Sequence, residues 1–152
     1  MASNLGAIRV ALRAALVSMY ASDTLIGILD GPGSTLNPVD VAWISRITSD
    51  INPATLAAAS RPTDENYEAE VILSSGRNGP AETQVVVAAR VDSMYSTLFE
   101  YFRTSPNHTL NVSANTWARV VRMVSEPSDN PQILEKGRNQ TCTVTIAITT
   151  RV

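Results

Sequence analysis

Chemistry-bearing residues are scarce in this chain of 152 residues, which has one cysteine, Cys142, and one histidine, His108. A single cysteine excludes an intrachain disulfide and fits a reducing cytosol. One thiol and one imidazole are also too few for an ordinary zinc site. The net charge of -2 leaves no basic footprint, which argues against nucleic-acid binding as the main activity. Arg9 and Arg13 interrupt the apolar N-terminal segment, so it does not read as a secretion signal. No apolar run approaches the roughly 18 residues of a membrane span. These absences predict a soluble intracellular chain, in which the sequons at Asn107, Asn111 and Asn139 are accidental.

What remains is a core. A hydrophobic content of 44% in this length predicts one domain, residues 1–152, burying roughly two thirds of its unfolded surface. Charged residues make up only 17%, a composition suited to a subunit that buries its sides against copies of itself. The organising stretch runs from Ala81 to Arg103. Val87, Val91, Met94, Tyr95, Leu98, Phe99 and Phe102 recur there at three- and four-residue spacing, one face of a helix. Gly79-Pro80 and Ser105-Pro106 bracket it with breakers. Asn4 to Tyr20 predicts a second amphipathic helix, with Leu5, Ile8, Leu12, Ala15, Leu16 and Met19 as its stripe and Ser3 or Asn4 as cap.

The rest alternates as strands do. Leu25 to Leu29 is a short apolar run closed by the turn Asp30-Gly31-Pro32-Gly33. Val39 to Ile47 follows, with Val39, Val41 and Trp43 on one face and Asp40, Ala42, Ile44 and Arg46 on the other; the two runs are expected to pair as a hairpin. Glu65 to Ser74 alternates Tyr67, Ala69, Val71 and Leu73 against Glu68, Glu70, Ile72 and Ser74. Trp117 to Ser125 places Trp117, Val121 and Met123 opposite Ala118, Val120 and Val124. Thr141 to Val152 alternates most strictly, Cys142, Val144, Ile146 and Ile148 against Thr141, Thr143, Thr145, Ala147 and Thr149, which predicts a central or interface strand. The fold class expected is α+β: one mainly antiparallel sheet of about five strands with two main helices packed on one face, in the order α-β-β-β-α-β-β.

No catalytic constellation is legible. Cys142 lies on an apolar strand face, where cysteine behaves as a small inert hydrophobe, so a dyad with His108 is not supported. Glu68 and Glu70 share a strand face without a partner acid or metal-binding loop. Ser74 to Gly79 has glycines but neither the lysine nor the spacing of a P-loop, and reads as a turn. Arg90, Arg103, Arg119 and Arg122 are too dispersed for a phosphate patch. No catalytic, cofactor-binding or metal-binding residue is assigned.

The whole order has a likeness. A helix leads to a strand ending in ILDGPG, then a paired strand, a long loop, a strand of the type YEAEVIL and a long helix. WARVVRMV and TCTVTIAITTRV close the chain. This resembles the tail terminator (tail completion) proteins of long-tailed bacteriophages, in order and texture rather than in any short motif. The resemblance implies a structural virion protein without a catalytic site, at the head-proximal end of the tail and assembled in the host cytoplasm. It implies a six-fold ring of identical subunits that caps the tail tube, halts its polymerisation and offers a surface for head joining. Its partners would be itself, the major tail tube protein and head–tail connector proteins, with DNA passing through the ring. Two long connections are the candidates for those contacts, namely residues 48–64, with Ile51, Asn52, Pro53, Leu56 and Arg61, and residues 126–137, with Pro127, Asp129 and Glu135. A head–tail connector subunit is the nearest competing reading. A small intracellular ligand-binding or adaptor domain is the competitor from another class.

Overall fold

The computed structural model describes residues 4–30, 40–50, 64–113, 115–128, 130, 134 and 137–151. Its elements are α1 (Leu5–Met19), β1 (Ile26–Leu29), β2 (Asp40–Asp50), β3 (Asp64–Asn78), α2 (Thr83–Arg103), a 3₁₀ turn (Asn107–Thr109), β4 (Thr116–Pro127) and β5 (Gly137–Arg151). The five strands form one sheet in the order β1-β2-β3-β5-β4, antiparallel throughout except between β1 and β2. Both helices lie on one face, so the class is α+β as expected.

The core is where the two periodicities meet. From β3 come Tyr67, Ala69, Val71 and Leu73, and from β5 Cys142, Val144, Ile146 and Ile148. Val87, Val91, Met94, Leu98 and Phe102 of α2 close over them, and Ile8, Leu12, Leu16 and Met19 of α1 complete the layer. Full burial of one such side chain contributes about 1.5–3 kcal/mol, so the nine helical residues alone make this layer the main source of stability. The Tyr20 hydroxyl donates to the Met94 carbonyl at 2.7 Å, joining the end of α1 to α2 without leaving a buried polar group unpaired. α1 packs over β2 beside α2, whereas α2 covers β3, β5 and β4.

Four local expectations need correction. β1 and β2 are not a hairpin: Ile26 to Leu29 run parallel to Asp40 to Trp43, so the chain between them crosses back to the same end. That register sets Ile26 and Ile28 beside Asp40 and Ala42, on the core face. Second, Ser74 to Asn78 is not a turn. It continues β3, pairing with Gly137 to Thr141 of β5. Third, irregularities in register interrupt β2 between Ile44 and Arg46 and β4 between Val120 and Arg122. An extra residue reverses which face the following side chains occupy. In β2 it returns Ile47 to the core beside Ala69. In β4 it puts Val124 on the Trp117 face and Met123 on the opposite one, the reverse of simple alternation. Fourth, Asn4 occupies the cap position of α1 without a side-chain cap bond; its backbone N–H donates to Glu65 Oε2 at 3.3 Å instead. Ser3 lies outside the described residues.

Candidate functional site

Three features stand out beyond the core: an ion cluster at one end of the sheet, an apolar groove along α1, and the free edge of β4.

The ion cluster is built around Asp40, the first residue of β2 and 2% exposed. Its Oδ1 accepts from Ser75 Oγ at 2.6 Å and Arg77 Nη1 at 2.8 Å; its Oδ2 accepts from Arg77 Nη2 at 3.0 Å and Arg90 Nε at 2.7 Å. Arg90 also donates to Asp23 Oδ2 at 2.6 Å. Burial alone would raise the Asp40 pKa, but the bonds from Arg77, Ser75 and Arg90 outweigh it and hold the carboxyl below its usual range. With two carboxylates against two guanidiniums and the Asp40 oxygens saturated, the cluster ties β2, β3, α2 and the α1–β1 turn together. It offers no open coordination position.

Residues that could suggest chemistry are separated. Cys142 is 1% exposed in the core, and burial pushes its thiol up to about 11, far from a nucleophilic thiolate at neutral pH. His108 sits in the 3₁₀ turn after α2, and no hydrogen bond joins the two. Glu70 is bound to Arg46 at 2.7 Å across β2 and β3. Arg90 is held in the Asp40 cluster, and Arg103 pairs with Glu100 while lying 5.5 Å from the Phe99 ring centre. Arg119 and Arg122 stand on the outer face of β4. Among the described residues no group of three His, Cys, Asp or Glu is placed to hold a metal, and no helix is long and apolar enough to cross a membrane.

The groove of about 720 Å³ runs along α1, lined by small residues including Gly6, Ala7, Ala11 and Ala14, with Tyr101 and Leu110 on its far wall. Val10 and Val17 stand on the outward side of the same helix, 70% and 45% exposed. α1 is therefore apolar on both its inner and outer faces, an arrangement typical of a helix covered on both sides.

β4 is the more informative surface. Among the described residues it is the outermost strand, 12 residues long, and pairs only with β5. Thr116, Ala118 and Val120 face the core, but Trp117 is 62% exposed, Val121 46%, Met123 41% and Val124 39%. Trp117, Arg119, Arg122 and Val124 share the outer face with Thr143, Thr145 and Thr149 of β5. A long apolar edge with open backbone donors and acceptors is a template for another strand. WARVVRMV carries the signal in sequence: it has apolar side chains on both faces, whereas a one-sided sheet would show one polar face.

Of the residues expected to make partner contacts, Pro127 is the exposed last residue of β4, paired with Gln140. Ile51, Asn52, Pro53, Leu56, Arg61, Asp129 and Glu135 lie outside the described residues. The strand ends on either side of the two connections are described. The loop expected over 48–64 is shorter, because Thr48–Asp50 pair within β2 and Asp64 begins β3; the 51–63 connection leaves from Asp50 and returns at Asp64, the sheet end where β3 meets Thr149 and Arg151. The loop expected over 126–137 is also shorter, because Glu126 and Pro127 end β4 and Gly137 begins β5; the connection after Pro127 returns at Gly137, beside Asn78. The two connections thus emerge from opposite ends of the sheet, separated by the 15 residues of β3, about 50 Å of strand.

No protein-family model matches the chain, and no curated protein matches it significantly.

Proposed function

We propose that this chain is a structural subunit of a long phage tail, a tail terminator that forms a ring, caps the tail tube and presents the head-joining surface. The observation that carries the reading is the open, apolar edge of β4, on which Trp117 stands 62% exposed. A subunit that closes into a ring uses two different flanks of its surface, one against each neighbour. β4 supplies one flank, and β1, beside β2 and α1, lies at the opposite edge of the sheet. The two long connections leave from the remaining ends of the sheet. This suits one set of contacts to the tail tube and another to the head side.

The reading is tested by incubating purified protein with isolated tail tubes and imaging by negative stain. A terminator caps one end of each tube as a six-fold ring and stops elongation by added tube protein. Twelve-fold rings with no affinity for tubes would instead support the head–tail connector reading. Elongation at an unchanged rate, with no density at tube ends, would contradict both.

A further inference from the structure

The face of the sheet turned away from both helices is covered by no described element, and its charges are sorted by strand. β5 crosses the middle of this face as a row of small residues, Thr143, Thr145 and Ala147. Strand pairing sets Glu68 of β3 and Arg119 of β4 on either side of Ala147. One level along, Glu70 and Arg122 flank Thr145; at the next, Ile72 and Val124 flank Thr143. Acids therefore stand on one side of β5 and bases on the other, at matching levels. Glu68, Arg119 and Arg122 are exposed, and none is in an ion pair among the described residues; Glu70 is held by Arg46.

We infer that this face docks a second copy of the chain, sheet against sheet, about a two-fold axis parallel to β5. Such an axis exchanges the two sides of β5 and keeps every level, so β3 of one copy lies over β4 of the other. Glu68 then faces Arg119 of the other copy, Glu70 faces Arg122 and Ile72 faces Val124, each twice. The small residues of β5 meet their own image, which lets the sheets approach to the roughly 10 Å of packed sheets. A two-fold axis across the strands would instead lay acids over acids and arginines over arginines, a juxtaposition that opposes association. Three strands of each copy overlap over about 14 by 27 Å, the size of a weak, reversible contact that salt screens. The inference does not rest on the ring reading, because a two-fold contact closes on a pair whatever the flanks engage.

The test is crosslinking of the full-length chain with a short bismaleimide at low ionic strength. Thr145→Cys places a thiol beside the axis, and Thr48→Cys places one two strands away on the same face. Cys142 is 1% exposed and contributes no background. The pairing predicts covalent dimers for Thr145→Cys and at least about tenfold fewer for Thr48→Cys, whose two copies lie on opposite margins. Adding Glu68→Arg or Arg119→Glu to Thr145→Cys lowers the dimer yield at least about tenfold, because each sets like charges face to face. Mixing those two variants restores the yield, since each supplies the charge the other lacks, and the restoration shows that both are folded. An absence of dimers from Thr145→Cys would overturn the proposal. Equal yields from Thr48→Cys, a yield indifferent to both charge reversals, or a mixture that stays monomeric would overturn it too. None of these outcomes bears on the capping of tail tubes, which tests the ring reading separately.

Discussion

Arg90 Nε donates to Asp40 Oδ2 at 2.7 Å, linking the middle of α2 to the first residue of β2 through a carboxylate that is almost wholly buried. Asp40 also receives Arg77 and Ser75, so one side chain gathers three segments that are distant in sequence, and Arg90 adds a fourth through Asp23. Removing one member of a buried ion cluster leaves its partners desolvated and underpaired. Arg90→Ala is expected to destabilise the fold by about 2–4 kcal/mol, lowering Tm by roughly 5–15 °C. Arg46→Ala, which breaks the exposed pair with Glu70, is expected to cost under about 1 kcal/mol. Thermal melts of the two variants check the contrast.

The pH dependence follows from the same cluster. The Asp40 pKa is lower in the folded chain than in the unfolded chain, so its contribution is fully present above the ordinary carboxylate range and is lost as pH falls through the folded value. Stability of the parent chain should therefore decline on acidification below about pH 4. Asp40→Asn should show a shallower decline over that interval, even though it is less stable at neutral pH. Parallel slopes in urea titrations at pH 3 to 6 would remove Asp40 as the source.

Cys142 provides an internal gauge of the fold. Its thiol is buried between β5 and the helical layer, and burial pushes its pKa up to about 11. Ellman's reagent at pH 7.5 is expected to leave it unmodified in the native chain and to titrate one thiol per chain in denaturant. Labelling at the rate of a free thiol would show that the core is open.

Gly137 begins β5 opposite Asn78 at the end of β3. A Cβ there would meet the backbone oxygen of Arg77 and approach Asn78 Cα to 2.9 Å, and backbone atoms cannot move aside as a flexible side chain would. Gly137→Ala is expected to destabilise by about 1–3 kcal/mol. Because Arg77 holds Asp40, the substitution also loosens the ion cluster. Equilibrium denaturation measures the loss, and a stability equal to the parent would contradict the close approach.

The 51–63 connection joins neighbouring antiparallel strands, with Asp50 directly opposite Asn66. A short turn can therefore close β2 onto β3 in its place. Replacing residues 51–63 by a four-residue turn containing Asn-Gly is expected to preserve the fold and abolish capping of tail tubes. A variant that does not fold would instead make this connection part of the core.

Much of the architecture is legible in the sequence because burial has a period. The three- and four-residue spacing from Val87 to Phe102, and the alternation of Tyr67 to Leu73 and Cys142 to Ile148, each mark a single buried face. The parallel β1–β2 pair is not legible, since a run as short as Ile26–Leu29 carries no information about direction and a nearby strand favours the hairpin assumption. The interruptions at Ser45 and Val121 are hidden for a related reason. A bulge changes face assignment through backbone pairing, which leaves no mark on composition. Gly76-Arg77-Asn78 resembles a turn locally, but fifteen rungs of pairing with β5 override that preference. The exposed Trp117 edge became visible only with the strand order, because which strand lies outermost depends on long-range pairing.

The central claim is that copies of this chain close into a ring, and the most direct test is its mass in solution. Light scattering on the purified protein, with negative-stain images of the same fraction, is predicted to give six times the 16.3 kDa of one chain and six-fold rings. Trp117→Asp should shift that mass toward a single chain while leaving the fold intact. A parent protein that stays at 16.3 kDa at high concentration and does not bind tail tubes would contradict the account.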